Sequence, residues 1–254
     1  MRRSRLTAAT IATAALLAIV GCASAEPASA PMPASASDGF LCGGVSISPD
    51  AVDARVPLSD LDSDARTALT EATWDDGLPL ELVEDDWYLA AAAEDSVTVL
   101  RDVEVAPDPA SPAIAPDHEV LIVSRMDDAS NLPPGWYVSR SDDCALTLDL
   151  GERSVPAIAF ATPPDPESST LHLLVTEQTC NSGADAQGRI EIVSLVETGE
   201  QVGLVLGVRP RTGGQDCPAN PATPFTVTLS APLGERTILD AGLAVPRPIA
   251  LVGR

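Results

Sequence analysis

RIEIVSLVETGEQVGLVLGVR, residues 189–209, decides the fold of this chain. In its second half Val202, Leu204, Leu206 and Val208 alternate with other residues, and this period of two is typical of a β-strand with one buried face. Residues 189–197 have the same β-branched character, and a short ETGEQ turn separates the two runs. The stretch therefore predicts a β-hairpin.

Further short strands are predicted on both sides of this hairpin. Their apolar patterns lie at residues 97–105, 119–124, 145–150, 171–176, 225–229 and 236–240. The proline-rich segment ATPPDPESS, residues 161–169, has no hydrophobic pattern and predicts a linker between domains. We therefore expect a mainly β protein of two small β-rich units. Residues 38–160 are predicted to form an α+β or mainly β domain, and residues 170–254 a β-sandwich of immunoglobulin-like character.

One short helix is predicted in the N-terminal unit, over SDLDSDARTALTEAT at residues 59–73, with Ser59 as its N-cap. Four acids in it have the spacing of calcium ligands in an EF-hand loop: Asp60, Asp62, Asp64 and Glu71. However, Ala65 stands where that loop needs glycine, and no helix leads into it. We therefore assign these acids to the positive end of the helix and predict no metal site.

The first 37 residues predict export and anchoring. Three arginines within the first five residues precede an apolar run over residues 6–20, which is too short for a stable membrane span. The run ends in Ile19-Val20-Gly21-Cys22, which resembles the bacterial lipobox. Residues 1–21 are therefore predicted to be a lipoprotein signal peptide and Cys22 the lipidated residue. The Ala/Pro/Ser-rich residues 22–37 are predicted to tether the protein to the outer face of the cytoplasmic membrane.

The charge of the chain excludes several classes of function. The formal net charge is −22 at pH 7, and there is no lysine in the sequence. Such a surface repels nucleic acid and other polyanions, so a partner is expected to be basic or to meet a neutral patch. The absence of lysine also excludes P-loop, kinase, Schiff-base and Ser-Lys mechanisms.

Four cysteines follow the predicted lipidation site, and an even number in an exported protein predicts disulfides. Their wide spacing does not fit a zinc site. Pairing within each unit, Cys42 with Cys144 and Cys180 with Cys217, crosses no predicted boundary. Cys144 also has the same parity as the leucines of residues 145–150, which places its sulfur on the buried face of that strand. The segment around Cys180 is therefore predicted to be a stapled loop, with Asn181 and the following Ser-Gly pair forming a turn.

No catalytic residue, metal ligand or cofactor site is assigned. The chain has two isolated histidines, His118 and His172, and no G-x-S-x-G motif marks a nucleophile. No His-x-x-x-His pair is available for a metal. Both histidines are therefore predicted to be structural.

The C-terminal unit resembles a domain that recurs in secreted proteins and lipoproteins of high-GC Gram-positive bacteria. The matching positions are Cys180, Ser182, Gly183, Gly188, Arg189, Gly213, Gly214, Cys217, Pro218, Asn220, Pro221, Pro224, Pro232, Leu233, Gly234, Arg236 and Asp240. The resemblance covers residues 170–245 well and residues 58–149 more loosely. It implies an envelope location and no particular activity. Within it, Arg189, Arg236 and Asp240 are expected to be either a structural ion pair or the one polar cluster worth testing.

Together these features predict a membrane-anchored extracellular lipoprotein that binds an unknown protein or small solute without catalysis. The alternative is a secreted hydrolase with an unrecognised active site. A concave cluster of a histidine, a serine and an acid would favour the hydrolase, whereas a closed β-sandwich would favour the binding module.

Overall fold

The computed structural model describes residues 39–105, 113–127 and 132–252. The predicted signal peptide, the lipidation site Cys22 and the tether over residues 22–37 lie outside the described residues. The described chain is mainly β, as predicted.

The N-terminal half of the described chain combines two antiparallel sheets with two helices. Its strands are β1 (Phe40–Cys42), β2 (Val45–Ile47), β3 (Trp87–Ala93), β4 (Ser96–Asp102), β5 (His118–Met126), β6 (Gly135–Cys144) and β7 (Leu146–Leu148). Its helices are α1 (Pro49–Ala54) and α2 (Ser63–Glu71), with a 3-10 turn at Leu58–Asp60. β3 to β6 form a four-stranded meander in sequence order, and β1 lies between β2 and β7 in a smaller sheet.

The predicted helix is present, but its N-cap lies three residues later than expected. Asp62, not Ser59, is the N-cap of α2, and its Oδ1 accepts hydrogen bonds from the amides of Asp64 and Ala65 at 3.1 and 2.9 Å. Ser59 lies in the preceding 3-10 turn. The N-cap assignment to Ser59 was therefore wrong, because the carboxylate of Asp62 reaches the free amides of the first helical turn.

The central meander is covered on both faces. α2 packs on one face against Val97, Val99, Leu121 and Val123, and the small sheet of β1, β2 and β7 covers the other. Residues 97–100 are consequently all buried, so β4 has no solvent-facing side there. The expected alternation over 97–105 was wrong in its second half, since β4 ends at Asp102.

The C-terminal half is a sandwich of two four-stranded sheets. Its strands are β8 (Ala157–Phe160), β9 (Thr170–Thr176), β10 (Ile190–Glu197), β11 (Gln201–Val208), β12 (Thr223–Thr228), β13 (Thr237–Asp240), β14 (Arg247–Pro248) and β15 (Ala250–Leu251). One sheet has the order β12-β9-β8-β15, and the other β10-β11-β13-β14. β10 and β11 pair antiparallel from Ile190–Val208 to Glu197–Val202, which confirms the predicted hairpin. The leucines and valines of β9 and β11 form the core between the sheets.

The two halves meet through strand pairing and a shared apolar cluster. β8 precedes the proline-rich segment 161–169 and pairs with β9, which follows it. Residues 157–160 thus pair with the sandwich, whereas the sequence division placed them in the N-terminal unit. Backbone bridges join Thr147 to Leu243 and Ser154 to Val208. Further apolar contact at this junction comes from Leu148, Leu150, Val155 and Val205.

Both predicted disulfides are present in the structure. Cys42–Cys144 is buried and connects β1 to the end of β6, at a sequence separation of 102. Cys180–Cys217 spans 37 residues, and both of its cysteines are exposed. Each bridge therefore lies within one half of the chain.

Candidate functional site

Arginines from three chain segments meet at one end of the β10–β11 hairpin. Arg189 immediately precedes β10, and its carbonyl accepts a hydrogen bond at 3.0 Å from the amide of Arg209, which immediately follows β11. Ser154 exchanges two backbone hydrogen bonds with Val208, of 3.0 and 2.9 Å, which brings Arg153 to the same end. Strand pairing thus assembles residues that lie far apart in the sequence.

These arginines line a cavity of about 580 Å³, which we call the arginine pocket. Its lining consists of Glu152, Arg153, Arg189, Arg209, Pro210, Arg211 and Thr212. A volume of this size is ordinary for a small-ligand site. Four arginines line one cavity in a chain of net charge −22, so the local charge of the pocket differs in sign from that of the chain as a whole.

Arg189 is the structural arginine of the pocket. Its Nη1 and Nη2 donate to the two carboxylate oxygens of Glu177 at 2.8 and 2.5 Å, and the Glu177 side chain is only 1% exposed. Burial by itself would raise the pKa of Glu177, but hydrogen bonds from Arg189 and Asn181 and the charge of Arg189 outweigh it and hold the pKa below its ordinary value. The bidentate pair therefore fixes the base of the pocket and leaves Arg189 electrically balanced.

Arg153 and Arg209 share a single carboxylate. The Nε of Arg153 lies 2.6 Å from Oε2 of Glu191, and the Nε of Arg209 lies 2.9 Å from Oε1. The hydrogen bond from Arg153 lowers the pKa of Glu191, and the charges of both arginines act in the same direction. Their side chains remain 41% and 55% exposed. Glu191 thus orients two guanidiniums that stay open to solvent.

Arg211 has no carboxylate partner among the described residues. Its Nη1 donates to the carbonyl of Asn181 at 2.8 Å, which ties it to the loop closed by Cys180–Cys217. Asn181 is itself buried and hydrogen-bonds to Glu177. The predicted stapled loop therefore supports the pocket. Because Arg211 donates to a neutral carbonyl of this loop, its positive charge has no carboxylate partner among the described residues.

Gly207 makes room for Arg153. A Cβ at Gly207 would lie 2.9 Å from Cδ of Arg153 and 3.0 Å from Cγ2 of Val193. Both distances are below normal van der Waals contact, so the Arg153 stem packs directly on the glycine backbone. A side chain at position 207 would displace Arg153 from the pocket.

The structure does not bring the predicted cluster of Arg189, Arg236 and Asp240 together. Arg236 donates to Glu197 at 2.7 Å, as well as to carbonyls in the 231–233 turn. Asp240 is buried and accepts from the amide of Gly242 at 3.0 Å. Among the described residues, no hydrogen bond or ion pair joins the three side chains. Only Arg189 belongs to the pocket.

His118 lies between two carboxylates near the junction of the halves. Its Nδ1 is 2.6 Å from Asp117, and its Nε2 is 3.2 Å from Asp102. Asp117 also accepts a hydrogen bond from the amide of Leu146 and pairs with Arg247. Burial opposes ionisation of Asp117, but the hydrogen bonds from His118 and Leu146 prevail and lower its pKa. Since both ring nitrogens face carboxylates, neither is left to activate a nucleophile.

The other histidine and the calcium-like acids are surface features. His172 is exposed on β9, opposite Thr226. Asp62, Asp64 and Glu71 line a second cavity of about 690 Å³ beside α2. Across residues 39–105, 113–127 and 132–252, no group of three His, Cys, Asp or Glu side chains is placed to hold a metal ion.

Arg153, Arg209 and Arg211 were not predicted from the sequence to be site residues. Arg-Pro-Arg at 209–211 is visible in a lysine-free chain and could have drawn attention to this end of the hairpin. Its partner Arg153 had no local signal, because the two segments are joined only by strand pairing.

Comparisons give no family or relative to set beside this geometry. No protein-family model, no curated protein and no solved structure matches the chain. Within the described part of the chain, no helix is long and apolar enough to cross a membrane.

Proposed function

We propose that this protein is a lipid-anchored binding module on the outer face of the cytoplasmic membrane, without catalytic activity, and that the arginine pocket is its binding site. The location rests on the leader and the lipobox-like Ile19-Val20-Gly21-Cys22. The observation that carries the binding role is the arginine pocket itself, an open cavity with four guanidiniums in a strongly acidic chain.

The construction of the pocket supports recognition in preference to reaction. Arginine remains protonated at physiological pH, so it orients and neutralises a ligand but is a poor proton donor or acceptor. The side chains are fixed by Glu177, Glu191 and the Asn181 carbonyl before any ligand arrives. Such preorganisation reduces the entropy lost on binding. The occupant is a small solute or an exposed segment of a partner protein.

The rival hydrolase has less support from the same structure. His118 is the buried histidine, and its two nitrogens face Asp102 and Asp117. His118 joins Asp102 of β4 to Asp117, and Asp117 in turn pairs with Arg247 of β14, which is a role in holding the halves together.

A ligand screen on the full chain in detergent tests the proposal. We expect some members of a panel of anionic, neutral and cationic solutes to raise the melting temperature, because a ligand that binds only the native state stabilises it. Arg211→Gln should reduce the shift, whereas Arg125→Gln should keep it, since Arg125 is an exposed arginine outside the pocket. Hits with the same shift in wild type and Arg211→Gln would place binding elsewhere.

The hydrolase alternative needs a separate measurement. Wild-type protein is assayed with esterase, glycosidase, peptidase and phosphatase substrates. Turnover that disappears in His118→Ala or His172→Ala, with the fold intact by circular dichroism, would overturn the proposal in favour of the enzyme.

A further inference from the structure

We infer that the arginine pocket recognises a single carboxylate group, either on a small organic acid or at the C-terminus of a peptide. This inference rests on the proposed binding function and adds the chemistry of the ligand. It follows from the free hydrogen-bond donors in the pocket, from its local charge and from its volume.

The free donors belong to three guanidiniums. Within the described residues, five nitrogens of these arginines donate no hydrogen bond. They are both Nη atoms of Arg153, Nη1 of Arg209, and Nε and Nη2 of Arg211. Arg189, by contrast, uses both terminal nitrogens on Glu177 and on carbonyls. The unused nitrogens come as adjacent pairs on Arg153 and Arg211. A planar pair of this kind matches the two oxygens of a carboxylate.

The net charge of the pocket favours a ligand that carries a single negative charge. Arg189 is neutralised by Glu177. The remaining three arginines face Glu191, which bridges two of them, and Glu152 on the lining. With Glu152 counted, the pocket keeps a net charge of one positive unit, and Arg211 is the lining arginine without an ion pair among the described residues. A monoanion completes the balance, whereas a phosphate dianion would add a second charge next to two carboxylates.

The charge of the whole chain acts in the same direction. A net charge of −22 repels polyanions before they reach the surface, and this repulsion grows with the charge of the ligand. At physiological salt the field is screened beyond about 8 Å, so a ligand with one charge meets mainly the local arginines.

The size of the cavity indicates that the carboxylate belongs to a larger molecule. About 580 Å³ is much more than a carboxylate group fills. Pro210 and the aliphatic stems of the arginines offer apolar surface for the rest of the ligand, and Thr212 adds a neutral hydroxyl. The pocket thus fits an anionic head with a small uncharged body.

NMR of the arginine Nε–Hε groups tests the inference on the full chain in detergent micelles. With no lysine and few arginines the spectrum is sparse, and single Arg→Gln variants assign it. The probes are N-acetyl-alanine for a small acid and N-acetyl-tetraalanine for a peptide C-terminus. Their C-terminal amides and inorganic phosphate are the controls, all at constant ionic strength.

We expect the carboxylate probes to shift the signals of Arg153 and Arg211 saturably, with little effect from the amides. The probe with the lower Kd identifies the source of the carboxylate. Arg211→Gln should raise the Kd about tenfold, as for the loss of one charge-assisted contact. Arg125→Gln should leave it unchanged. Gly207→Ala should also raise the Kd, because the new Cβ displaces Arg153.

Three outcomes would overturn the inference. Phosphate could bind with the lower Kd, the amides could bind as well as the acids, or Arg211→Gln and Arg125→Gln could have equal effects. The first two would still show a ligand in the pocket, so the binding function would survive while its carboxylate chemistry failed. Failure of the binding function itself would show instead as a solute panel without any hit that depends on Arg211.

Discussion

Replacing Asp240 by asparagine should stabilise the protein at neutral pH and leave it almost unchanged near pH 4. Asp240 ends β13 with its side chain buried in the sandwich and accepts a hydrogen bond from the Gly242 amide at 3.0 Å. Burial raises its pKa to about 6 from an ordinary 3.8, against the opposing effects of the Gly242 amide and the charge of Arg247. Between about pH 4 and pH 6, Asp240 is therefore protonated in the folded state and ionised in the unfolded state.

The magnitude follows from linkage. Between about pH 4 and pH 6 the folded state binds more protons at Asp240 than the unfolded state does, so the stability contributed by this group falls as the pH rises. A pKa of about 6 against 3.8 corresponds to about 3 kcal/mol once both states are ionised. Asparagine keeps an oxygen for the Gly242 amide without the charge. We therefore expect a gain of about 1–3 kcal/mol at pH 8, the lower end allowing for burial of the new NH₂ group.

Urea unfolding followed by tryptophan fluorescence measures the free energy of unfolding of Asp240→Asn and of its parent at several pH values from 4 to 8. Both proteins carry Cys22→Ser, which removes the predicted acylation site, so that no detergent is needed. The difference in unfolding free energy between Asp240→Asn and its parent should grow across pH 4–7, since other groups cancel in the difference. Asp53→Asn, at an exposed acid, is the control. A difference that stays constant with pH would refute the reasoning about burial.

Three further predictions concern anchoring and stability. Cys22→Ser should lose association with the membrane fraction; equal partitioning of variant and wild type would contradict lipidation. The double change of Cys180 and Cys217 to serine should lower the free energy of unfolding by about 2–4 kcal/mol, and detection of free thiols at these positions in the untreated folded protein would contradict the bridge. Glu177→Gln should lower the free energy of unfolding, measured in urea, by about 3–5 kcal/mol, because it leaves Arg189 without its counter-charge. A loss below 1 kcal/mol would show that this pair is not structural.

Much of the fold was predictable because strand periodicity is a local property. The alternation at 202–208 specifies one buried face, and the short ETGEQ turn leaves the hairpin as the simplest pairing. Parity with Leu146 and Leu148 also predicted a buried Cys144, and Cys144 is buried against Cys42, although it ends β6 and the two leucines lie in β7. The acidic composition likewise predicts, without any reference to structure, that polyanions are not partners, and this stays a prediction.

Where the prediction was wrong, either a competing local contact or a covering layer of the tertiary structure decided the outcome. Ser59 and Asp62 both satisfy the preference for an N-cap, and the choice fell to the residue whose carboxylate reaches two free amides. Leu100 has the opposite parity to Val97 and Val99 but is also buried, since the sheet has a layer on both faces. Periodicity in the sequence does not reveal whether a second layer covers the strand.

The sequence by itself thus determined the β character of the chain, the hairpin and the excess of acids. Which arginines meet in the arginine pocket was decided only by the tertiary structure. The backbone bridge between Ser154 and Val208 carries Arg153 to the end of the hairpin, next to Arg209. Burial of Asp240 likewise depends on strands and turns distant in the sequence. Local patterns set which face of a strand is apolar, but they do not select the segments that pair across many residues.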